Sequence, residues 1–534
     1  MPGVVRVAAA QIEAGQDVTE NLAACLRVID AAAAQRAQLI VLPEFCNHLS
    51  WYSSRTQAHE LATRPDDDFL TAIAAHARRH RIWVKINVTH AYPGGRTGGT
   101  NLLFDPDGRV VGQCDKQTLM GAENDFLEPA DTVGPVLDTP LGRLGMYACM
   151  EGVINEVARG LALRGAQVLL NSLNSFALDE ADLHIPVRAA ENKVWVVAAN
   201  KVGPLLPRDQ LPAIAERLGV PPEWLHGAGE SQIVAPDGTV VAKAPRTGEH
   251  VIVADIQPEA ADTKHRPDGT DILATRRPEL YGPIAGPPTG RRRAPGDGAL
   301  PVAVVRGVGR VRDAVLGGAR LVVLPELAGS PEALADALGG TGAHAVTTVV
   351  RDGVHMGILI SKNGIEARQP QLHPSRRAGV AGLAPAGKRI VPIDLAWGRL
   401  AIVVGDDALY PETFRLAALE DVDVVAVPYR AQEDWELALG LPERAAENRL
   451  NVVVATPLDQ AAAILAMSPD FTLWTAWQGP FTGRISTPVR TDVPPGVPLG
   501  AATVAPAQAA NRMVSRQTDL VDGRPWRLVG ALTE

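Results

Sequence analysis

Short apolar runs alternate along this chain with stretches whose apolar residues recur every three or four positions. Val4–Ala10, Leu39–Leu42, Ile82–Val88, Leu144–Ala148, Val168–Leu170 and Val194–Ala198 are too brief for helices and predict buried strands. Asn21–Ala34, with Leu22, Leu26 and Ile29 on one face, and Asp66–His80 predict amphipathic helices. After Ala148 the apolar positions are Ile154, Val157, Ala158 and Leu161, the helical spacing again, so Cys149 falls at a sharp strand-to-helix junction. Asp105-Pro106-Asp107-Gly108 and Ala235-Pro236-Asp237-Gly238, each flanked by apolar runs, predict hairpins. Trp51–Pro65 and Asn171–Asp182 break the pattern and predict loops. Strands alternating with helices imply an α/β layered domain.

The pattern then repeats. Leu324-Pro325-Glu326 echoes Leu42-Pro43-Glu44, and Arg444-Ala445-Ala446-Glu447-Asn448 echoes Arg188-Ala189-Ala190-Glu191-Asn192. At the same offset Asn363-Gly364 matches Asp107-Gly108, and Pro411-Glu412 aligns with Asn155-Glu156. Self-similarity on this scale implies two similar domains. The expected organisation is a first domain over 1–285, a Gly/Pro/Arg-rich linker over 286–300, a second domain over 301–491 and an extension over 492–534 that wraps the surface. Gly307-Val308-Gly309 after Val302–Val305 imitates a dinucleotide fingerprint, but Arg312 occupies the third glycine position and the segment matches the opening of the first copy.

Composition narrows the class. Hydrophobic residues make up 46% and charged residues 21%, so both copies can bury a core. A net charge of −9 with no basic stripe argues against nucleic acid as a partner. Four cysteines without close pairing point away from a disulfide framework and towards a reducing, cytoplasmic setting. The N-terminal stretch lacks the pattern of a signal peptide, and no apolar run reaches the length of a membrane span.

Three residues carry candidate catalytic chemistry. Glu44 ends a core strand, where an unpaired charge is costly to bury; it is either solvated or a base held beside a partner. Lys116 follows the first hairpin in a chain with eight lysines against 43 arginines. It is either a surface lysine or a compact ammonium placed for an oxyanion. A free cysteine is most often a small buried hydrophobe. At a helix start, however, the free N–H groups can favour thiolate, so Cys149 is either a core cysteine or a nucleophile. His76 and His80 have a spacing that can hold a metal but lack a third ligand nearby, and read as a solvated helix face.

Taken in order, LPEF, DKQTL, YACMEGVINEVARGLALRGAQVLL, RAAEN, VVAANKVG and RRPELY make Val4 to about Ile284 closely resemble the nitrilase superfamily of carbon–nitrogen hydrolases. The resemblance implies an αββα sandwich, and with the repeat two such domains in tandem. It implies Glu44 as general base, Lys116 as oxyanion stabiliser, Cys149 as nucleophile and Glu123 as the group that positions substrate, with no metal or organic cofactor. Cys149-Met150-Glu151 fits the pattern common in nitrile-hydrolysing members, whereas LALRGAQVLL fits the amidase branch, so amide and nitrile stay open; an aromatic common ahead of RAAEN is missing.

In the second copy the offset places Gly405 at the cysteine position, Leu372 (beside His373) at the lysine position and Gly379 at the second glutamate. Only Glu326 remains, and a lone glutamate has no nucleophile to serve. The expected function is hydrolysis of a small carboxamide by the first copy, with a nitrilase or a non-catalytic scaffold as alternatives. The second copy is expected to be silent and to act as a built-in partner, an intramolecular pseudo-dimer, with further homo-oligomers possible in principle.

Overall fold

The computed structural model describes residues 3–377, 379–472 and 476–534. Its core is four six-stranded sheets, two per lobe. In the first lobe one sheet runs His250–Ile256, Val5–Gln11, Leu39–Val41, Trp83–Ala91, Thr97–Phe104, Val110–Asp115. The facing sheet runs Val240–Lys243, Gln232–Val234, Trp195–Ala199, Val168–Ser172, Gly142–Ala148, Val136–Thr139. Val7, Val41 and Leu103 from the first sheet share one core with Leu144, Met146 and Val196 from the second. Helices cover the outer faces: Cys25, Val28 and Ile73 pack on the first sheet, and Val157, Leu161 and Ala189 on the second. This is an αββα sandwich, as expected.

The second lobe repeats it strand for strand, with Leu300–Val305 in the place of Val5–Gln11 and Gly398–Ile402 in the place of Gly142–Ala148. Its first sheet is completed by Leu499–Val504, antiparallel to Leu300–Val305, and its second by Val489–Val493. The extension 492–534 is therefore not a surface wrap: its alternating apolar residues pair with open sheet edges, which would otherwise leave backbone groups unpaired. The linker arginines are not free in solvent either, because Arg291, Arg292 and Arg293 pair with Asp423, Asp421 and Asp394 of the second lobe.

The lobes meet through charges that correspond by the repeat. Arg159 binds Glu412 at 3.0 Å, and its counterpart Arg415 binds Glu156, the counterpart of Glu412, at 2.7 Å. Likewise Arg188 reaches Glu447 at 2.7 Å, while Arg444 reaches Glu191. All eight side chains are buried. Reciprocal contacts of this kind belong to an isologous, two-fold-like interface. The tails cross over as well. Arg266, after the last strand of the first sandwich, pairs with Asp406 and Glu436 of the second. Val514 and Leu520, after the last strand of the second, pack on Met150, Val153 and Ile154 of the first. No helix among the described residues is long and apolar enough to cross a membrane.

Two local expectations differ from the structure. Trp51–Pro65 contains a helix, Arg55–Leu61, started by the Ser54 side chain, which accepts the Gln57 N–H; the short segment buries only Ala58, too little for an apolar period to show. The helix after Cys149 is split into Met150–Val153 and Glu156–Leu163. Arg188 donates to the carbonyls of Gly152 (2.6 Å) and Val153 (3.2 Å), giving them partners outside the helical ladder.

Candidate active site

Parallel strands from both sheets of the first lobe end side by side, and their ends are tied together. The Glu44 N–H donates to the Leu173 carbonyl at 3.2 Å, across the sandwich. The Ser172 hydroxyl donates to the Leu42 carbonyl, and the buried Lys85 ammonium donates to that hydroxyl at 2.6 Å. The Cys149 N–H donates to the Ser172 carbonyl at 2.9 Å and to Asn171 Oδ1 at 3.1 Å. The end of Val168–Ser172 is thus a hub that holds the Glu44 loop and the Cys149 elbow to one place.

Lys116 joins the third segment. Its Nζ lies 2.7 Å from Glu44 Oε1 and 2.6 Å from Glu123 Oε2. Its stem passes over Gly99, where a Cβ would stand 3.0 Å from Lys116 Cδ, and the ammonium lies 5.3 Å from the centre of the Phe45 ring. Glu123 Oε2 also accepts the Met120 N–H at 3.0 Å. Glu44 and Lys116 are fully buried, and Cys149 and Glu123 are 8% exposed. Glu44, Lys116 and Glu123 thus form one buried ion-paired cluster, and Cys149 lies within electrostatic reach of it.

Backbone strain marks the same place. Phe45, next to Glu44, has φ 48°, and Cys149 has φ 50° with ψ −107°. Such conformations in non-glycine residues persist only where the surroundings hold them.

Electrostatics decide the resting state of Cys149. The Cys149 thiol pKa is pushed well above its ordinary value, first by burial and then by the charges of Glu44 and Glu180, which outweigh Lys116. The helix that follows spans four residues and is itself buried, so it does not favour thiolate enough to offset those effects. The resting group is a thiol. Burial by itself would lower the Lys116 pKa, but Glu123 and Glu44 more than compensate, and the ammonium stays charged. Burial raises Glu123 above the usual carboxylate range.

Further buried polar groups complete this site. Glu151 accepts the N–H of Gln117 (2.7 Å) and of Ala148 (2.8 Å), tying the Lys116 segment to the Cys149 elbow. Burial lifts its pKa to about 7. A carboxyl raised above its unfolded value stabilises the fold fully below that value, and the contribution is lost as pH rises through the folded pKa. Glu151→Gln is therefore expected to flatten the fall in stability between about pH 4.5 and 7, as read from urea midpoints across that range. Lys201 is fully buried and its ammonium has no hydrogen-bond partner; burial lowers its pKa to about 8. Glu180 is also buried, with Oε2 unpartnered. Glu151 and Lys201 fall within the sequence motifs, but their burial and partners, and Glu180 altogether, are set by the fold.

A cleft of about 1480 Å³ opens beside the site, with Glu13, Leu49, Phe176, Val202, Trp224 and Arg246 among its walls; Glu44, Lys116, Glu123 and Cys149 do not line it. Residues of the second lobe cover the other side of the elbow. Phe471, Ile485, Val514 and Leu520 pack on Met150–Ile154, and Thr518 Oγ1 accepts the Gly121 N–H at 2.9 Å.

The equivalent place in the second lobe is filled. Gly405 keeps the elbow conformation (φ 52°), and a Cβ there would overlap the Arg377 guanidinium and the Glu326 carboxylate. Arg377 grips Glu326 with both terminal nitrogens and lies 3.1 Å from Asp406. His373 is held by Asp407 at 2.9 Å and Tyr281 at 2.6 Å.

An αββα sandwich with a cysteine elbow, a lysine and paired glutamates at its strand ends defines a carbon–nitrogen hydrolase. Residues 6–266 match the carbon–nitrogen hydrolase family. Over 263 residues the chain is 30% identical to a nitrilase of Pyrococcus abyssi, which covers 49% of this chain and 93% of that protein. It is 25% identical over 292 residues to N-carbamoylputrescine amidase of Arabidopsis thaliana, covering 52% and 94%. The crystal structure of the C. elegans NitFhit protein overlays 52% of this chain and 66% of its own at 24% identity, with a TM-score of 0.45. The chain belongs to the carbon–nitrogen hydrolase family and is an amidase-like hydrolase.

Proposed function

We propose that the first lobe hydrolyses a small carboxamide through a thioester on Cys149. The observation that carries this is the Lys116 ammonium, bound between Glu44 and Glu123 within electrostatic reach of the strained Cys149. As the sulfur attacks the carbonyl carbon, Glu44 takes the thiol proton. Lys116 and a backbone N–H stabilise the tetrahedral oxyanion. The proton passes from Glu44 to the departing nitrogen, and ammonia or an amine leaves. Glu44 then takes a proton from water as its oxygen attacks the thioester; the acid is released and the thiol restored. Glu123 holds Lys116 in place from the other side.

Incubation with a panel of amides should release ammonia, and intact mass should show an acyl adduct lost in Cys149→Ala. A parallel nitrile panel decides between the two bond types: turnover of nitriles alone overturns the amide reading, and no turnover of either class supports a scaffold.

The second copy (301–491, with 492–534) is on this reading a silent, built-in partner. The Arg377–Glu326 pair in the place of a nucleophile supports silence, and the cover over the Cys149 elbow supports the partner role. Glu326→Gln is expected to change kcat/KM for the best amide by less than about threefold, since Glu326 contacts nothing in the first lobe's cluster. A drop of tenfold or more would place chemistry in the second lobe.

A further inference from the structure

One ionisable group near Cys149 has no role in the mechanism above. Glu180 opens a single π-helical turn, Glu180–His184. The second lobe has the same turn at the same repeat offset, Glu436–Gly440, so the turn belongs to the fold; there Glu436, the counterpart of Glu180, binds the Arg266 guanidinium at 2.7 Å. Both ends of the first-lobe turn are pinned by the second lobe. Asp179 accepts the N–H of Ile485 (2.6 Å) and Ser486 (2.7 Å) and the Thr487 hydroxyl (2.7 Å). His184 binds Glu443 at 2.8 Å through Nδ1 and meets the Ser486 hydroxyl at 2.9 Å through Nε2. Between these anchors, the Glu180 side chain is 5% exposed and its Oε2 meets no donor.

An isolated buried carboxylate is expensive unless something pairs with it. The charges that act most strongly on Glu180 are those of His184, Asp179, Glu443 and Glu44. Three are acidic, and the cation among them, His184, is already engaged by Glu443. The carboxylate is therefore held rigidly, within electrostatic reach of Cys149, without a counter-ion.

We propose that Glu180 is the specificity residue of the first lobe and binds a protonated amine carried on the acyl side of the carboxamide substrate. The inference rests on the amidase reading for where the substrate lies. An ammonium on Glu180 would also relieve the repulsion that Glu180 exerts on a forming Cys149 thiolate. Burial holds Glu180 near a pKa of about 7, so docking of the cation should release a fraction of a proton at neutral pH.

The probes are three amides of similar size: β-alaninamide (cationic), butyramide (neutral, isosteric) and succinamate (anionic). Binding is measured by calorimetry to full-length Cys149→Ala and to Cys149→Ala/Glu180→Gln, and kcat/KM is measured on the wild type and Glu180→Gln. Binding does not require turnover, so it tests Glu180 even if the amidase reading fails. The expected result is β-alaninamide bound at least about tenfold more tightly than butyramide, with the ratio falling to near one in the Gln variant and a matching loss in KM. Equal affinities, a preference for succinamate, or a ratio unchanged by Glu180→Gln overturns the proposal. So does an equal fall for β-alaninamide and butyramide, which would make Glu180 a holder of the carboxamide itself. Turnover of none of the three, beside clear binding, would count against the amidase reading and leave the Glu180 assignment standing.

Discussion

Cys149→Ala is expected to lower ammonia release from the best amide by about 10⁴-fold or more, with the folded structure intact. Removing the nucleophile from a set of groups that act as a unit costs about as much as removing the set. Here the unit is tight: Lys116 lies 2.7 Å from Glu44 and 2.6 Å from Glu123, and the Cys149 N–H is fixed on the Ser172 carbonyl. Alanine keeps the elbow's backbone bonds and removes a buried thiol whose ionisation the site opposes. The thermal transition should therefore hold or rise slightly. A variant that keeps more than about one per cent of wild-type turnover, free of contaminating activity, would remove Cys149 from the mechanism.

Glu156→Ala is expected to destabilise the protein by about 3–5 kcal/mol, because it strands the guanidinium of Arg415, which is 1% exposed, inside the junction of the lobes. Glu156 binds Arg415 at 2.7 Å, and Arg415 also donates to the carbonyls of Glu447 and Leu520. Leu520 belongs to the strip that packs on the Cys149 elbow. Loosening Arg415 should therefore lower amide turnover as well as the urea midpoint. Replacing both partners, Glu156→Leu with Arg415→Met, removes the uncompensated charge and should recover part of the loss. The check is a double-mutant cycle on urea midpoints with turnover measured in parallel. If Glu156→Ala shifts the midpoint by no more than an exposed ion pair would, about 0–1 kcal/mol, the junction does not hold the lobes as the geometry implies.

The alternation of short apolar runs with helical spacing was enough to read the layered fold, because strands buried on both sides and amphipathic helices write their periods directly into the chain. The repeat was legible for the same reason, through Arg188-Ala189-Ala190-Glu191-Asn192 and its second occurrence. Its meaning at the junction was not. Glu191 and Glu447 look like helix-surface glutamates until the two lobes are placed together and each meets the other lobe's arginine. The strand Leu499–Val504 was hidden because its partner, Leu300–Val305, lies far away in the chain, and a Pro/Ala/Gly-rich context masks a period of two over six residues. The local rule that a helix start can favour thiolate takes no account of burial or of the charges of Glu44 and Glu180, which together push the Cys149 thiol pKa up.

What the chain alone determined is its local periods, its two-fold repetition and the ordered motifs in which Glu44, Lys116 and Cys149 occur, since each of these is a property of neighbours in sequence. What only the tertiary structure decided is which charges face one another: Lys116 between two glutamates, Arg377 lying where the second copy has no nucleophile, and Glu180 held without a counter-ion. Electrostatic energy depends on distance and burial in space, and the chain returns on itself across hundreds of residues before either is set.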